Sequence, residues 1–350
     1  MEKLKLNETP KRTSKNYGIN NIVLENVNIP EQIKEFNNCY VKSGGNVDLR
    51  ADFEKVNLKY GVGETLANQA KNKNIKIVCD EKSGSETEIN FMFDKENTCL
   101  IENIEIIAEE NLNHTIILKY ESKQDVEAYH NGIIRLIAKA NSNVDVIIVN
   151  LLNEKSNNFI SIQNEIEKSA KVNYTIIELG AKNSVSNYFS NIIGDEAKNT
   201  LNTIYLGKEN QVFDLNYIAE LRGKKTNVNI EVQGALKDNA KKHFKGTIDF
   251  KKGAKKAVGN ENEFCMLLSD TAKSIALPML LCTEDDVEGN HSTAAGKIDE
   301  KQLFYIMSRG FSVKEAMKLI VKSRFNKILE NVKNENLKDE ILSNIDRRLD

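Results

Sequence analysis

The sequence predicts a mainly β fold: short strands stacked as a solenoid, with a small mixed α/β part before them and a helical tail after them. Three observations predict it. From about residue 98 to residue 290, segments rich in β-branched and aromatic residues recur every ~10–15 residues, most of them alternating apolar with polar side chains. No long amphipathic helix interrupts that run. Beyond residue 297 the apolar spacing changes to that of a helix.

The first 97 residues read as a mixed subdomain. Pro30 opens "PEQIKEFNN" and suits a first helical position, where its missing N–H would be unpaired anyway. "GETLANQAKNKN" sets Leu66, Ala67 and Ala70 at helical spacing, and "IKIVCD" after it reads as a strand. Residues 98–296 then carry "IENIEIIAEE", "HTIILKYES", "GIIRLIAKA", "NVDVIIVNLL", "FISIQNEI", "VNYTIIELG", "LNTIYLG", "VFDLNYIAEL", "TNVNIEVQGAL" and "HFKGTIDF". Such a series fits a sandwich, a barrel or a solenoid, and periodicity does not choose among them. Turn chemistry leans one way. Hairpins favour Asn-Gly or Asp-Gly, and Asn131-Gly132 is the one clear case. The other turns are Lys, Asn and Ser clusters such as "GAKNS", "GKKTN" and "KDNAKK", which suit coils stacked on coils.

In residues 297–350, Asp299 with Gln302, and Ser312 with Glu315, have the spacing of capping boxes, and Gly310 stands where a left-handed C-cap is wanted. Leu303, Phe304 and Met307 share one helical face; Ala316, Leu319, Ile320 and Phe325 form a second apolar stripe. Taken alone, these helices read as a lid over the end of the β-core, shielding its unpaired edges.

Composition narrows the function. Lys plus Arg is 49, Asp plus Glu is 51 and the net charge is −2, so nothing draws the chain to nucleic acid or an anionic membrane. No apolar run approaches the ~18 residues that span a bilayer, and the N-terminus lacks the apolar core of a signal peptide, which points to the cytoplasm. The five cysteines, Cys39, Cys79, Cys99, Cys265 and Cys282, include no C-x-x-C pair, which speaks against a disulfide framework or structural zinc. Cys39, Cys79 and Cys99 read as small buried hydrophobes, and Cys282, ending "LPMLLC", reads first as a buried structural cysteine. His114 and His130 have no partner cluster and read as structural. "GVGETL" lacks the Gly-Lys-Ser/Thr of a phosphate loop, so the chain is not itself an ATPase; G-x-S-x-G and H-E-x-x-H are absent too. "CTEDDVE" lacks the spaced ligands of a calcium loop.

Two stretches carry a family resemblance. "LPMLLCTEDDVEGNHSTAAGKIDEKQLFYIMSRGFSVKEAMKLIVKSRF" and, upstream, "FKGTIDFKKGAKKAVGNENEFCMLLSDTAKS" resemble the C-terminal signature of the SufB/SufD family of iron–sulfur cluster assembly proteins. The resemblance implies a right-handed parallel β-helix core. It also implies a non-catalytic scaffold that pairs with a SufB-type paralogue or with itself, and that binds a SufC-type ABC ATPase through the C-terminal helices. A transient iron–sulfur cluster at the subunit interface is implied, with no permanently bound cofactor. Ser292 stands where SufB-type members have an acidic residue, and Glu263 where they have a cysteine, so the chain is more like the SufD branch. On this reading His291 is the expected metal and cluster ligand, with Cys265 and Glu263 as lesser candidates. Leu303, Phe304, Tyr305, Ser308, Arg309 and Lys314 are the expected ATPase-docking residues. Two alternatives remain from the sequence: a SufB-like homodimeric scaffold working with the ATPase alone, and a carbohydrate-active β-helix enzyme, against which the missing signal segment and the absence of tryptophan count.

Overall fold

An alternating strand must bury one face and satisfy both edges, and from β5 onward the strands of this chain find their partners a full coil away. The computed structural model describes residues 3–11, 18–44, 46–52, 57–81 and 84–350. It begins with the antiparallel pair β1 (Lys3–Leu6) and β2 (Ile22–Glu25), the short strands β3 (Cys39–Ser43) and β4 (Asn46–Asp48), and the single-turn α1 (Glu64–Ala67). Sixteen parallel strands follow. They are β5 (Lys73–Cys79), β6 (Glu86–Phe93), β7 (Cys99–Ala108), β8 (Asn113–Ser122), β9 (Tyr129–Ala138), β10 (Asn143–Leu151), β11 (Asn157–Ile166), β12 (Lys171–Glu178), β13 (Asn183–Ile192), β14 (Lys198–Gly207), β15 (Val212–Leu221), β16 (Asn227–Leu236), β17 (Lys241–Phe250), β18 (Ala257–Leu267), β19 (Lys273–Cys282) and β20 (Val287–Lys297). The odd strands make one sheet, closed at its start by β4, and the even strands the other, closed by β3. Two strands per coil give a parallel β-solenoid of eight coils among the described residues.

The turns explain why hairpin dipeptides are scarce. Asn111, Asn141, Ser169, Glu196, Lys225 and Lys256 all take positive φ. Each donates its N–H to a carbonyl one coil on, from Asn111 to Ala140 (3.1 Å) through to Lys256 to Asp286 (2.6 Å). A left-handed non-glycine residue costs roughly 1–2 kcal/mol, and the stacked hydrogen bond offsets it at each level.

One apolar core fills the solenoid, and aromatic rings climb through it: Tyr174 meets Tyr188 at 5.1 Å, Tyr188 meets Tyr217 at 6.1 Å, and Tyr217 meets Phe244 at 5.8 Å. Both outer faces are also covered. The N-terminal segment lays Leu6, Ile22, Leu24, Val62 and Leu66 on Ile101, Tyr129, Phe159 and Val185 of the odd sheet. On the even sheet lie α2 (Glu300–Ser308), α3 (Val313–Leu329) and α4 (Glu335–Leu349), burying Ile320, Phe325, Ile341 and Ile345 against Ile147, Ile177, Ile204 and Met266. Among the described residues no helix is long and apolar enough to cross a membrane.

Several sequence expectations are corrected. The C-terminal helices are not a lid: they run along the outer face of the even sheet because that face presents its own apolar columns, and they leave the last coil uncovered. No helix starts at Pro30. Phe36 is instead drawn into the solenoid against Phe93 (5.1 Å), and its neighbours Asn37 and Asn38 hydrogen-bond to the turn after β6. The helix at "GETLANQAKNKN" stops at Ala67, with no side-chain cap at Gly63. Asp299 caps α2 by accepting from Lys301 N–H (2.8 Å), whereas the two reciprocal bonds of a capping box are made by Ser312 and Glu315. Leu319 and Phe304, expected on apolar inner faces, are 41% and 72% exposed.

Candidate functional site

The last coil is where the fold stops satisfying itself. β19 and β20 end their sheets, each with a partner on one side only, and β20 is exposed along most of its length. Val287 packs against the interior core, so by strand alternation Gly289, His291, Thr293 and Ala295 turn to the same inner side. On β18 below, Ala257 and Cys265 belong to that core, which places Glu261 and Glu263 on the inner face between them. The ladder sets His291 beside Glu261, Thr293 beside Glu263 and Ala295 beside Cys265. His291 itself is exposed.

Behind His291 lies a polar cluster in an apolar barrel. Glu263 Oε1 accepts from Lys242 Nζ (2.7 Å) and from the Tyr205 hydroxyl (3.1 Å), and Lys242 also donates to Ile275 O (3.3 Å). Lys242 sits over the rings of Tyr205 and Phe244, 5.9 Å from each centroid. Glu261 is fully buried, and neither of its carboxylate oxygens has a hydrogen-bond partner. Burial, and then the neighbouring Glu263 carboxylate, push its carboxyl up to about 8. Burial likewise raises the Cys265 thiol, opposed by Lys242 and by hydrogen bonds with Tyr205 and Ser274. Among the described residues no group of three or more His, Cys, Asp or Glu side chains is placed to hold a metal ion.

Close by, α2 stands with no residue buried. Leu303 and Ile306 lean on the outer core, but Phe304 and Tyr305 are 72% and 59% exposed. Arg309 stacks on the Tyr305 ring at 5.1 Å and donates to its hydroxyl (3.1 Å), and Ser308 Oγ donates to Tyr305 O (2.7 Å). Exposed Phe311 and Val313 extend this apolar patch into the start of α3. Lys314, next along α3, is paired with Asp350 at 3.0 Å.

The other singled-out residues lie elsewhere. His130 is buried in a hydrogen-bonded chain in the middle of the solenoid, and His114 is buried against the Thr87 hydroxyl (3.0 Å). Cys79 is buried and its thiol lifted to about 12, Cys39 and Cys99 are half-buried, and Cys282 is exposed. Glu261 went unnoticed in the sequence, and Lys242 was read within the turn "KDNAKK", whereas it lies fully buried on β17. The alternating acids of "NENEFC" were a signal for the first; nothing local distinguished Lys242 from a surface lysine.

Comparison with known proteins places this geometry. Residues 91–324 match the family model described as "SUF system FeS cluster assembly, SufBD core domain". The chain is 25% identical to the iron–sulfur cluster assembly protein SufD of Bacillus subtilis over 261 residues, covering 74% of this chain and 60% of that protein. It is 31% identical to a SufBD family protein of Pyrococcus horikoshii over 171 residues, 48% of this chain and 37% of that one. Against SufD of Escherichia coli it is 23% identical over 240 residues, 69% and 57% of the two chains. The family match thus runs from within β6 through most of α3, and the chain spans roughly two fifths to three fifths of the length of these relatives. With eight stacked coils and a matched core of that extent, the chain belongs to the SufBD family of iron–sulfur cluster assembly proteins.

Proposed function

We propose that the chain is a non-catalytic scaffold subunit of a SUF-type assembly complex. Its open coil pairs with the matching end of a SufB-type subunit, and α2 with the start of α3 docks a SufC-type ABC ATPase. A nascent cluster is held transiently between the paired ends, with His291 as this chain's ligand and Glu263 and Cys265 behind it. The observation that carries the reading is the uncapped last coil: two long edge strands with an exposed histidine, in a fold that covers its other faces. Bare edges invite pairing with another chain. Single donors at such an edge suit a cluster completed from outside.

The same geometry supports a mechanical link. Arg324 of α3 stacks on Phe264 at 4.6 Å, and Phe264 stands on β18 between Glu263 and Cys265. Movement imposed on α2 and α3 by a docked ATPase would therefore reach the strand that carries the inner acids.

Co-expression with the SufC-type ATPase, with and without the SufB-type subunit, followed by native mass measurement, tests the reading. One copy of this chain with one SufB and two ATPases is expected. Two copies with two ATPases, formed without SufB, would support the homodimeric scaffold instead. A chain that stays monomeric in both mixtures sinks the proposal. Phe304→Ala with Tyr305→Ala should weaken ATPase binding by roughly tenfold or more, as loss of exposed aromatic anchors does.

A further inference from the structure

We propose that Glu261 is the carboxylate that orients His291, accepting an N–H from one ring nitrogen and leaving the other free to ligate. The inference deepens the reading of His291 as a ligand and rests on it.

Four observations converge on the pair. His291 and Glu261 are neighbouring rungs of one parallel ladder, side chains on the same face, with strands about 4.8 Å apart. Glu261 is fully buried and both its oxygens are unpartnered. Lys242, the cation within the cluster, is bonded to Glu263, which leaves Glu261 without it. On the coil beneath, the rung beside Glu261 is Ile230, which offers no polar atom, so the polar neighbour in the ladder is the imidazole above.

The sequence also leaves room for the carboxylate. A Cβ added at Gly246, on the facing strand β17, would come within 2.2 Å of the Glu261 carboxyl carbon. The glycine therefore keeps clear the space the acid occupies. Isolated buried carboxylates are costly, and a fold keeps one where something completes it. A ligating histidine usually gives its second N–H to such a carboxylate, which sets the tautomer and the ring plane. Glu261 is a positioning residue: it acts on the cargo through His291.

Anaerobic titration of the purified full chain with Co²⁺, followed through the visible spectrum and by calorimetry, tests this. The unsubstituted chain should bind; His291→Ala should abolish binding; Glu261→Gln should weaken it 10–100-fold, the usual effect of losing such a partner. Glu261→Asp should recover part of the loss. The Glu261→Gln melting temperature should not fall, because the change removes an unpaired acid. If Glu261→Gln binds cobalt like the unsubstituted chain while His291→Ala does not, the orienting role is wrong and the ligand role stands. If His291→Ala still binds, the ligand role itself fails. A Glu261→Gln chain that loses binding and melting temperature together marks a merely structural acid, and an unsubstituted chain that binds no cobalt overturns the pairing.

Discussion

His130 and His291 both stand on inner faces of the solenoid strands, yet their surroundings are opposite. His130 Nδ1 donates to Asn158 Oδ1 (2.6 Å) and its Nε2 lies 3.2 Å from Glu102 Oε1, which also accepts the Tyr120 hydroxyl (2.6 Å). The chain continues: Asn158 Nδ2 donates to Ser184 Oγ (3.1 Å), Ser184 donates to Glu178 Oε2 (2.8 Å), and Asn150 Nδ2 donates to the same oxygen (2.7 Å). The coils on either side supply each partner. His291 has a coil on one side only, and the acid beside it, Glu261, has no partner. Around His130 the flanking coils tie the polar groups together, whereas at His291 one side of the ladder is left open.

The largest expected effect tests the closed member. His130→Ala should cost ~3–5 kcal/mol in chemical denaturation, because it empties a buried ring-sized space and takes one partner each from Glu102 Oε1 and Asn158 Oδ1. His291→Ala should stay within ~0.5 kcal/mol, as at exposed positions. Equal losses would break the comparison. Next, Gly246→Ala should cost ~1–3 kcal/mol by driving a methyl into the Glu261 carboxylate. An unchanged denaturation midpoint would show that the acid moves aside freely.

A smaller effect should appear in the pH profile. Burial, with Glu263 second, raises the folded Glu261 carboxyl from 4.5 to about 8, so the folded state holds a proton that the unfolded chain releases. Its contribution to stability is therefore full below about pH 4.5 and is lost as pH rises through about 8. Glu261→Gln should flatten the fall in stability between those pH values; an identical slope would place the proton elsewhere. The smallest effect is chemical. Exposed Cys282 should alkylate first under native conditions, while Cys79, lifted to about 12, and buried Cys265 stay protected. Early modification of Cys265 would mean that the end coil opens.

Much of the fold was legible. The strands quoted from residues 98–296 are present because period-two alternation reports burial of one face. β13 was missed because Ser184, Ser186, Asn187 and Ser190 are polar yet fully buried, so polarity at those positions does not report a solvent-facing side. The candidate site was drawn in part from the sequence. His291 came from the family signature, and the shared inner face of Glu263 and Cys265 from alternation. Glu261 and Lys242 were not, because their meaning lies in partners on other coils.

Sequence alone determined what depends on near neighbours: the strand period, the Lys/Asn/Ser turns, the Ser312 cap and the stop at Gly310. These follow from backbone geometry and hydrogen bonds a few residues long. Tertiary structure alone decided which rung lies beside which, that the helices cover a sheet face, and that one end stays bare. Those outcomes turn on ladder partners about thirty residues apart, such as Glu261 and His291, and on apolar columns that exist once the coils have stacked.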